Sequence, residues 1–339
     1  MSNGSSRSAT VYLFRSASGA TSLTLRGVEP HGIRAIGIRL SPGVAYSWGC
    51  DLSGYPDHVS DSERAPRVGV AGPVVVPVYV ATLAPALNAY RRYAGQLLSA
   101  LGPELAALNT AARSGDRGRA RTAWLAAHLT WLRIGQDDAA YGAFGQLGQQ
   151  IDGTAAGLVG GARSRAFTGF HKVEDDLWRR RDLAAAAADS ARLRRLVAKL
   201  ERQSLNAELP ATKAGMTSFT IRCHEVLEDA LRDSLSGDDD YGSHTDLRSL
   251  TADVAATREL LKLLTPDLDP RAPALAATAQ AQLRAISAAI GAARRAGGAR
   301  APRALRVLPT RERQRLDQTV GAALQTLSRV PDLLGIGGT

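Results

Sequence analysis

Apolar residues recur at helical spacing along most of the chain, and this periodicity constrains the fold more than any other feature. From Tyr79 to Leu108, leucine and tyrosine return every three, four or seven positions, which predicts one long amphipathic helix. A second pattern runs from about residue 117 toward Ile151, and six more cover residues 168–181, 182–208, 214–235, 245–264, 272–296 and 310–330. Eight helices with short connections predict a mainly α domain over residues 78–339, made of two antiparallel four-helix bundles.

The first 77 residues follow a different pattern. Short runs of β-prone residues alternate with Gly, Ser and Pro, which is typical of strands joined by turns. These runs cover residues 11–14, 22–25, 36–38 and 74–76. We therefore expect a short β-rich module over residues 1–77, ahead of the helical domain.

The charge and hydropathy of the chain argue against two classes of protein, those that bind nucleic acid and those that span a membrane. The net charge is +10, but the densest basic segment, residues 294–315, holds eight arginines, one glutamate and no aromatic residue. Nucleic-acid-binding surfaces usually interleave basic residues with stacking aromatics, so we predict a solvated connection here and no nucleic-acid partner. The longest uncharged stretch, between Arg67 and Arg91, contains three prolines. We therefore expect a protein that does not span a membrane.

The predicted helix over residues 168–181 carries a histidine and a glutamate three positions apart, His171 and Glu174. At this spacing both side chains point along the same face as the aromatic Phe170 and Trp178. A buried titratable pair is costly unless a partner satisfies it. Paired His and Glu ligands on one helix are how helical bundles build metal sites. The alternative is a His–Glu pair that hydrogen-bonds to a neighbouring helix or lies exposed at the end of a bundle.

A second group of candidate ligands lies on the predicted helix over residues 214–235. Here Glu225 and Glu228 flank an apolar stripe next to His224. Residues 225–246 contain eight carboxylates and only one arginine. Clustered carboxylates attract cations. We expect Glu225 and Glu228 to bind a cation rather than the run at residues 238–240, which follows Ser-Gly and reads as a solvated loop. No H-E-x-x-H zinc-protease motif is completed.

Several motifs together resemble the imelysin-like family, specifically the EfeO-type components of bacterial iron uptake. The matching stretches span about three quarters of the chain and are Ala127–Trp131, Tyr141–Leu147, Ile151–Gly153, Phe167–Glu174, Leu177–Trp178, His224–Asp229 and Ser243–Leu247. The resemblance implies two four-helix bundles with the H-x-x-E pair His171 and Glu174 as ligands of iron, either Fe²⁺ or Fe³⁺. Zinc or another divalent cation suits the same residue types.

The resemblance also implies partners and a location. It implies an extracytoplasmic iron-binding role, periplasmic or at the cell surface, alongside a membrane iron permease and a haem peroxidase. The first fifteen residues contain no apolar core of a signal peptide, which leaves a cytoplasmic location open. EfeO-type proteins often carry an N-terminal cupredoxin-like domain, and Tyr46–Trp48 with Cys50 resemble its closing strands. Since 77 residues are short for that fold, we expect a truncated or degenerate remnant.

Three hypotheses for the function follow. The first is a binding protein that captures iron and passes it to the membrane permease without catalysing a reaction. The second is a metal-dependent hydrolase or peptidase that would use a metal-bound water. The third is a metal-free helical scaffold for another protein. Leu132 and Gly148 favour the third, because they stand, as Gln146 does, where members of the family often have a carboxylate.

Overall fold

The structure is a computed structural model that describes residues 9–28, 38, 40–52, 58–68, 78–135, 144–203, 205–237, 239–240, 242–297 and 305–335. The chain divides into two compact units, one of residues 1–82 with 332–339 and the other of residues 83–331. The fold is mainly α with a small N-terminal antiparallel sheet, so the predicted fold class is confirmed.

The first unit contains a five-stranded antiparallel sheet with strand order β2-β1-β3-β4, in which β5 also pairs with β3. The strands are β1 (Ala9–Arg15), β2 (Thr21–Val28), β3 (Ala45–Leu52), β4 (His58–Val59) and β5 (Glu63–Arg64). The predicted runs at 11–14 and 22–25 lie in β1 and β2. Most of the run at 36–38 and all of that at 74–76 lie outside the described residues.

Four helices of the second unit form one bundle, joined by buried polar contacts as well as apolar packing. They are α1 (Val80–Arg113), α2 (Arg117–Leu132), α4 (Gly169–Glu174) and α5 (Leu183–Arg202), with the short α3 (Gly145–Asp152) packed on α4 and α5. Asn109 joins α1 to α5, because its Nδ2 donates to Ala187 O at 2.6 Å and to Ser190 Oγ at 2.9 Å. Thr130 Oγ1 of α2 donates to Glu104 Oε1 of α1 at 3.1 Å.

The remaining long helices pack in a second four-membered ring. They are α7 (Lys213–Asp229), α8 (Asp246–Leu268), α9 (Leu275–Gly297) and α10 (Thr310–Leu327), and each packs on the next while α10 returns to α7. The short helices α6 (Leu205–Glu208) and α11 (Arg329–Leu333) flank this ring in sequence. Contacts between α2 and α8 connect the two bundles. Within the described residues, every helix is too short or too polar to cross a membrane.

Two predicted helices are each interrupted in the structure. The pattern expected to run toward Ile151 is split into α2 and α3, because the chain leaves α2 at Gly135 with a φ of +70°. A side chain at Gly135 would meet Val226 Cγ2 and Ala256 Cβ at 3.2 Å, so the turn also permits close packing on α7 and α8. The pattern over 182–208 is likewise split into α5 and α6, and Gln203 already has an extended conformation.

Two helices widen into π-helical turns at their carboxyl ends. Helix α4 continues as a π-helix over Asp175–Arg180 and ends at Arg181, whose φ of 56° is left-handed. Helix α7 continues as a π-helix over Ala230–Ser234. The predicted helices over 168–181 and 214–235 are therefore present with an altered pitch. Such turns are rare and concentrate at functional sites.

Candidate metal centre

The junction between α3 and α4 positions the first candidate ligands. Gly169 begins α4 with a φ of +84°, and an added Cβ would lie 2.0 Å from Ile151 O, so only glycine permits this close approach. Thr168 Oγ1 strengthens the junction by donating to Gln150 O at 2.6 Å. Because the first turn of α4 rests on the last carbonyls of α3, Asp152 and His171 are held side by side.

Helix α2 supports the same part of α4 and adds a second histidine. Trp124 Nε1 donates to Phe170 O at 2.9 Å in the buried interior. His128 lies one helical turn after Trp124, and its ring meets the His171 ring edge-on with centroids 5.2 Å apart. His128 also packs on Phe170, with centroids 5.1 Å apart. Aromatic packing therefore fixes both imidazoles in a single arrangement.

Asp152 bridges the two histidines. Its Oδ1 lies 3.1 Å from His128 Nε2 and 3.5 Å from His171 Nε2. The other ring nitrogen of His171, Nδ1, lies 3.3 Å from Glu174 Oε2. The H-x-x-E pair predicted from the sequence is thus in contact, and it forms part of a larger cluster.

Two further carboxylates come from the connection between α7 and α8. Asp239 Oδ1 lies 3.1 Å from His171 Nε2, and Asp240 Oδ1 lies 3.6 Å from His128 Nδ1. Ser249 Oγ donates to Asp240 Oδ2 and orients that carboxylate. We expected the aspartate run to be a solvated loop, and this expectation is wrong for Asp240, which is completely buried. Asp238 lies outside the described residues.

Backbone amides of the same connection hold Glu174. Its Oε1 accepts hydrogen bonds from the N–H groups of Gly242 at 3.0 Å and of Ser243 at 2.7 Å. The other oxygen, Oε2, is the one that faces His171. The backbone therefore holds one oxygen of the carboxylate in place, and the second oxygen points toward the position that a metal ion would occupy beside His171.

The cluster is buried, yet not all of its polar atoms have a hydrogen-bond partner within the protein. His128, Glu174 and Asp240 are fully shielded from solvent, and His171 is 1% exposed. Within the part of the chain that the structure describes, His128 Nδ1 and Asp240 Oδ1 are buried without a hydrogen-bond partner. Buried polar atoms without partners are expensive and uncommon, and here two such atoms face each other.

The carboxylates raise the pKa values of both histidines. Burial alone lowers the pKa of His128, but the adjacent Asp152 and Asp240 outweigh it and raise the pKa to about 9. Burial also opposes protonation of His171, yet its contact with Asp239 holds the pKa well above the ordinary value. Both shifts favour the protonated imidazoles, which act as counter-ions for the carboxylates when no cation is bound.

The crowding of carboxylates is visible in their own pKa values. Burial raises the pKa of Asp240 to about 7. The positive charge of His128 opposes this rise, and the negative charge of Asp239 adds to it. Burial also raises the pKa of Asp246 to about 8, helped by the charge of Asp240. The centre therefore holds more negative groups than its two histidines neutralise.

Imidazole and carboxylate ligands converge here closely enough for a metal ion. Candidate ligand atoms lie within 4.8 Å of one another in two overlapping sets, one of His128, Asp152 and His171 and one of His171, Glu174 and Asp240. Mixed imidazole and carboxylate ligands suit iron, zinc and manganese.

A cleft of about 240 Å³ connects this centre with the surface. We call it the acidic cleft, because five aspartates and one arginine line it: Asp152, Asp229, Asp233, Asp239, Asp253 and Arg232. Arg232 pairs with Asp229 at 3.1 Å and with Asp233 at 2.8 Å. Leu132, one of the two residues that favoured a metal-free scaffold, also lines this cleft. The carboxylates that a metal would need are thus supplied by other segments of the chain.

Glu225 and Glu228 form a separate group around His224 on α7. His224 Nε2 lies 3.0 Å from Glu228 Oε2, and His224 Nδ1 lies 3.6 Å from Glu225 Oε1. Glu228 is half exposed, with 53% of its side chain accessible. These three residues could hold a cation of their own, but among the described residues they are grouped with His224 rather than with His171.

Sequence reasoning missed four residues of the buried centre: His128, Asp152, Asp239 and Asp240. The first two stand in stretches that carried the family resemblance, Ala127–Trp131 and Ile151–Gly153. A buried-face histidine one turn after Trp124 was the available signal for His128. The two aspartates gave no such signal, because a run of three acidic residues after Ser-Gly is usually solvated.

Comparison with known proteins gives concordant results. The family model described as Imelysin matches residues 86–330. The iron uptake system component EfeO of Escherichia coli K12 is 24% identical over 205 residues, which are 60% of this chain and 52% of that protein. EfeO of Shigella flexneri matches with the same identity and coverage. The chain thus spans about half the length of the curated relatives it matches.

Proposed function

The chain belongs to the imelysin family, and on that basis we propose that it binds iron as a component of an iron-uptake system. The name of the EfeO relatives, which are iron uptake system components, supports this assignment. The observation that carries it is the buried cluster in which His128, His171 and Glu174 meet three aspartates, with unpartnered polar atoms facing one another.

The bound ion would replace protons as the counter-charge of the cluster. Metal ligands must be deprotonated, so a cation that binds His128 and His171 expels their protons and takes over the neutralisation of the carboxylates. Four carboxylates, from Asp152, Glu174, Asp239 and Asp240, exceed what a divalent ion alone neutralises. This excess favours a cation of high charge, and iron in either oxidation state fits the mixed oxygen and nitrogen ligands.

In this proposal the protein captures iron and releases it to a membrane permease, alongside a haem peroxidase, outside the cytoplasm. The acidic cleft supports this role, because its five aspartates outnumber its single arginine, and this excess of negative charge would concentrate cations at the opening to the centre. A binding function needs no group that acts on a substrate. The hydrolase alternative would require a general base beside a metal-bound water.

Titration calorimetry with Fe²⁺ under anaerobic conditions tests the assignment. The wild-type protein should bind about one ion in the centre. The double variant His171→Ala/Glu174→Ala should lose this binding while circular dichroism shows unchanged helical content. His171→Gln, which keeps the side chain's volume, serves as a second variant if the double variant does not fold.

A matched control removes the same residue types from the other group. His224→Ala/Glu228→Ala should leave the stoichiometric binding intact, because these residues lie outside the buried cluster. Iron binding of wild-type affinity in the folded His171 variants would refute the site. Loss only in the His224 variant would transfer the site to α7. Absence of binding in wild-type protein would favour the metal-free scaffold.

A further inference from the structure

A second cleft, of about 890 Å³, lies beside α4 and α5 and shares no lining residue with the acidic cleft. Its walls come from the turn before α4, from α4 with its π-helical continuation and from α5. Six basic and two acidic side chains line it, which gives the cleft a net charge of +4. The basic residues are Arg163, Arg165, Lys172, Arg179, Arg180 and Arg192.

Both acidic residues of this cleft are already paired with basic ones. Asp189 Oδ2 lies 3.2 Å from Lys172 Nζ, and Asp175 Oδ1 lies 3.4 Å from Arg179 Nη1. Arg180 Nη1 lies 3.2 Å from Asp176, which is buried behind the wall. The positive charge that remains therefore belongs to the other three arginines.

Those three arginines approach the cleft from different segments. Arg163 closes a 3₁₀ turn, Arg165 follows in the connection to α4, and Arg192 lies on α5. All three residues are exposed, and among the described residues no ion pair or side-chain hydrogen bond joins them to another group of the protein. Gly160 and Gly161, with φ of +86° and +53°, shape the turn that presents Arg163.

We propose that this cleft binds a small anion with several carboxylate groups. A guanidinium group matches a carboxylate in a two-point contact, so three arginines that line one cleft suit a ligand with two or three carboxylates. The cleft has the volume of a small-molecule site. Helix α4 connects the two sites, because His171 faces the metal centre and the next residue, Lys172, lines the basic cleft.

This proposal extends the proposed function, since polycarboxylates are chelators of ferric iron. The cleft would hold such a chelate beside the helix that carries the iron ligands. Binding of the iron-free anion does not depend on the metal centre, so the two proposals can fail independently.

The test uses citrate without iron, titrated calorimetrically into the full chain. We expect one binding site, and the Kd of Arg163→Gln/Arg165→Gln should rise about ten-fold or more, because two charged contacts are lost. Arg192→Gln should weaken binding in the same direction. Arg194→Gln/Arg195→Gln is the matched control, because it removes the same charge from exposed positions on α5 outside the cleft. Its Kd should remain that of the wild type.

Three results would overturn the inference. The first is no citrate binding by wild-type protein, and the second is an equal loss in the control, which would mean that overall charge attracts the anion. The third is inorganic phosphate bound as tightly as citrate through the same arginines, because a site for a single anionic group would not distinguish them. Fe²⁺ titration of Arg163→Gln/Arg165→Gln should be unchanged, which separates the cleft from the metal centre.

Discussion

Replacing Gly169 by alanine should weaken iron binding although this residue offers no ligand. Its φ of +84° lies in the left-handed region, and an added Cβ would lie 2.0 Å from Ile151 O and 2.6 Å from Gln150 O. No side-chain rotation relieves this overlap, because both neighbours are backbone atoms. The end of α3 and the start of α4 must therefore separate, and Asp152 moves away from His171.

The cost has two parts. A left-handed conformation costs a residue other than glycine about 1–2 kcal/mol. Forcing an extra carbon into a packed interior costs about 1–3 kcal/mol more, so Gly169→Ala should destabilise the protein by about 2–5 kcal/mol in all. Gly157 provides the matched control, because its φ is +75° and an added Cβ meets nothing within 4 Å. Gly157→Ala therefore incurs only the first part.

Thermal unfolding and iron titration of both variants separate the two effects. At about 2–4 °C per kcal/mol for a domain of this size, Gly169→Ala should unfold roughly 2–12 °C below Gly157→Ala. Only Gly169→Ala should show reduced iron affinity. Equal melting temperatures, or wild-type iron affinity in Gly169→Ala, would show that the junction between α3 and α4 does not position the centre.

Three further predictions follow from the same geometry. His128→Gln should raise the Kd for iron at least about ten-fold in calorimetry, because it removes a group that binds the metal or orients one of its ligands. An unchanged Kd would show that His128 is not part of the metal centre. The pKa of His128 is raised to about 9 and that of His171 is raised well above its usual value. Each bound ion should therefore release about one to two protons at pH 7, and the affinity for iron should rise with pH. Calorimetry in buffers of different ionisation enthalpy counts these protons, and a count of zero contradicts the argument. We propose that residues 78–339 fold alone. Deleting residues 1–77 should therefore leave a cooperative thermal transition and the same iron stoichiometry. An insoluble or non-cooperative product would show that the domain boundary does not lie at residue 78.

Sequence periodicity was sufficient for the fold because it reports which face of each helix is buried. The apolar stripe of α1 lies in the core from Leu83 to Leu108, as predicted, whereas Tyr79, where the predicted stripe began, lies before the helix and is exposed. The break between α2 and α3 escaped prediction, because the glycines of this segment are also tolerated within helices. The π-helical turns escaped as well, since a one-residue change of pitch hardly alters an apolar pattern.

The candidate site was predictable only where its residues share a helix. His171 and Glu174 are three positions apart on α4, and their contact follows from helix geometry alone. His128 and Asp152 reach His171 only through the packing of α2 and α3 on α4, which no local pattern encodes. Asp240 looked solvated, and only the course of the connection between α7 and α8 buries it.

The distribution of ligands over the chain has a consequence for how iron would act on the protein. His128 and His171 belong to the first bundle, whereas Asp239 and Asp240 belong to the connection between two helices of the second. Under the proposed function, a cation at the centre would join the two bundles at a point where protonated imidazoles and hydrogen bonds to Glu174 and Asp240 otherwise offset the buried carboxylates. Fe²⁺ carries the same charge as the two protons it would replace and Fe³⁺ one more, and a single ion would contact carboxylates of both bundles directly, which strengthens the attraction between them. Under the proposed function, release of iron would have to reverse this exchange, and the ligands that must part from the ion come from both bundles.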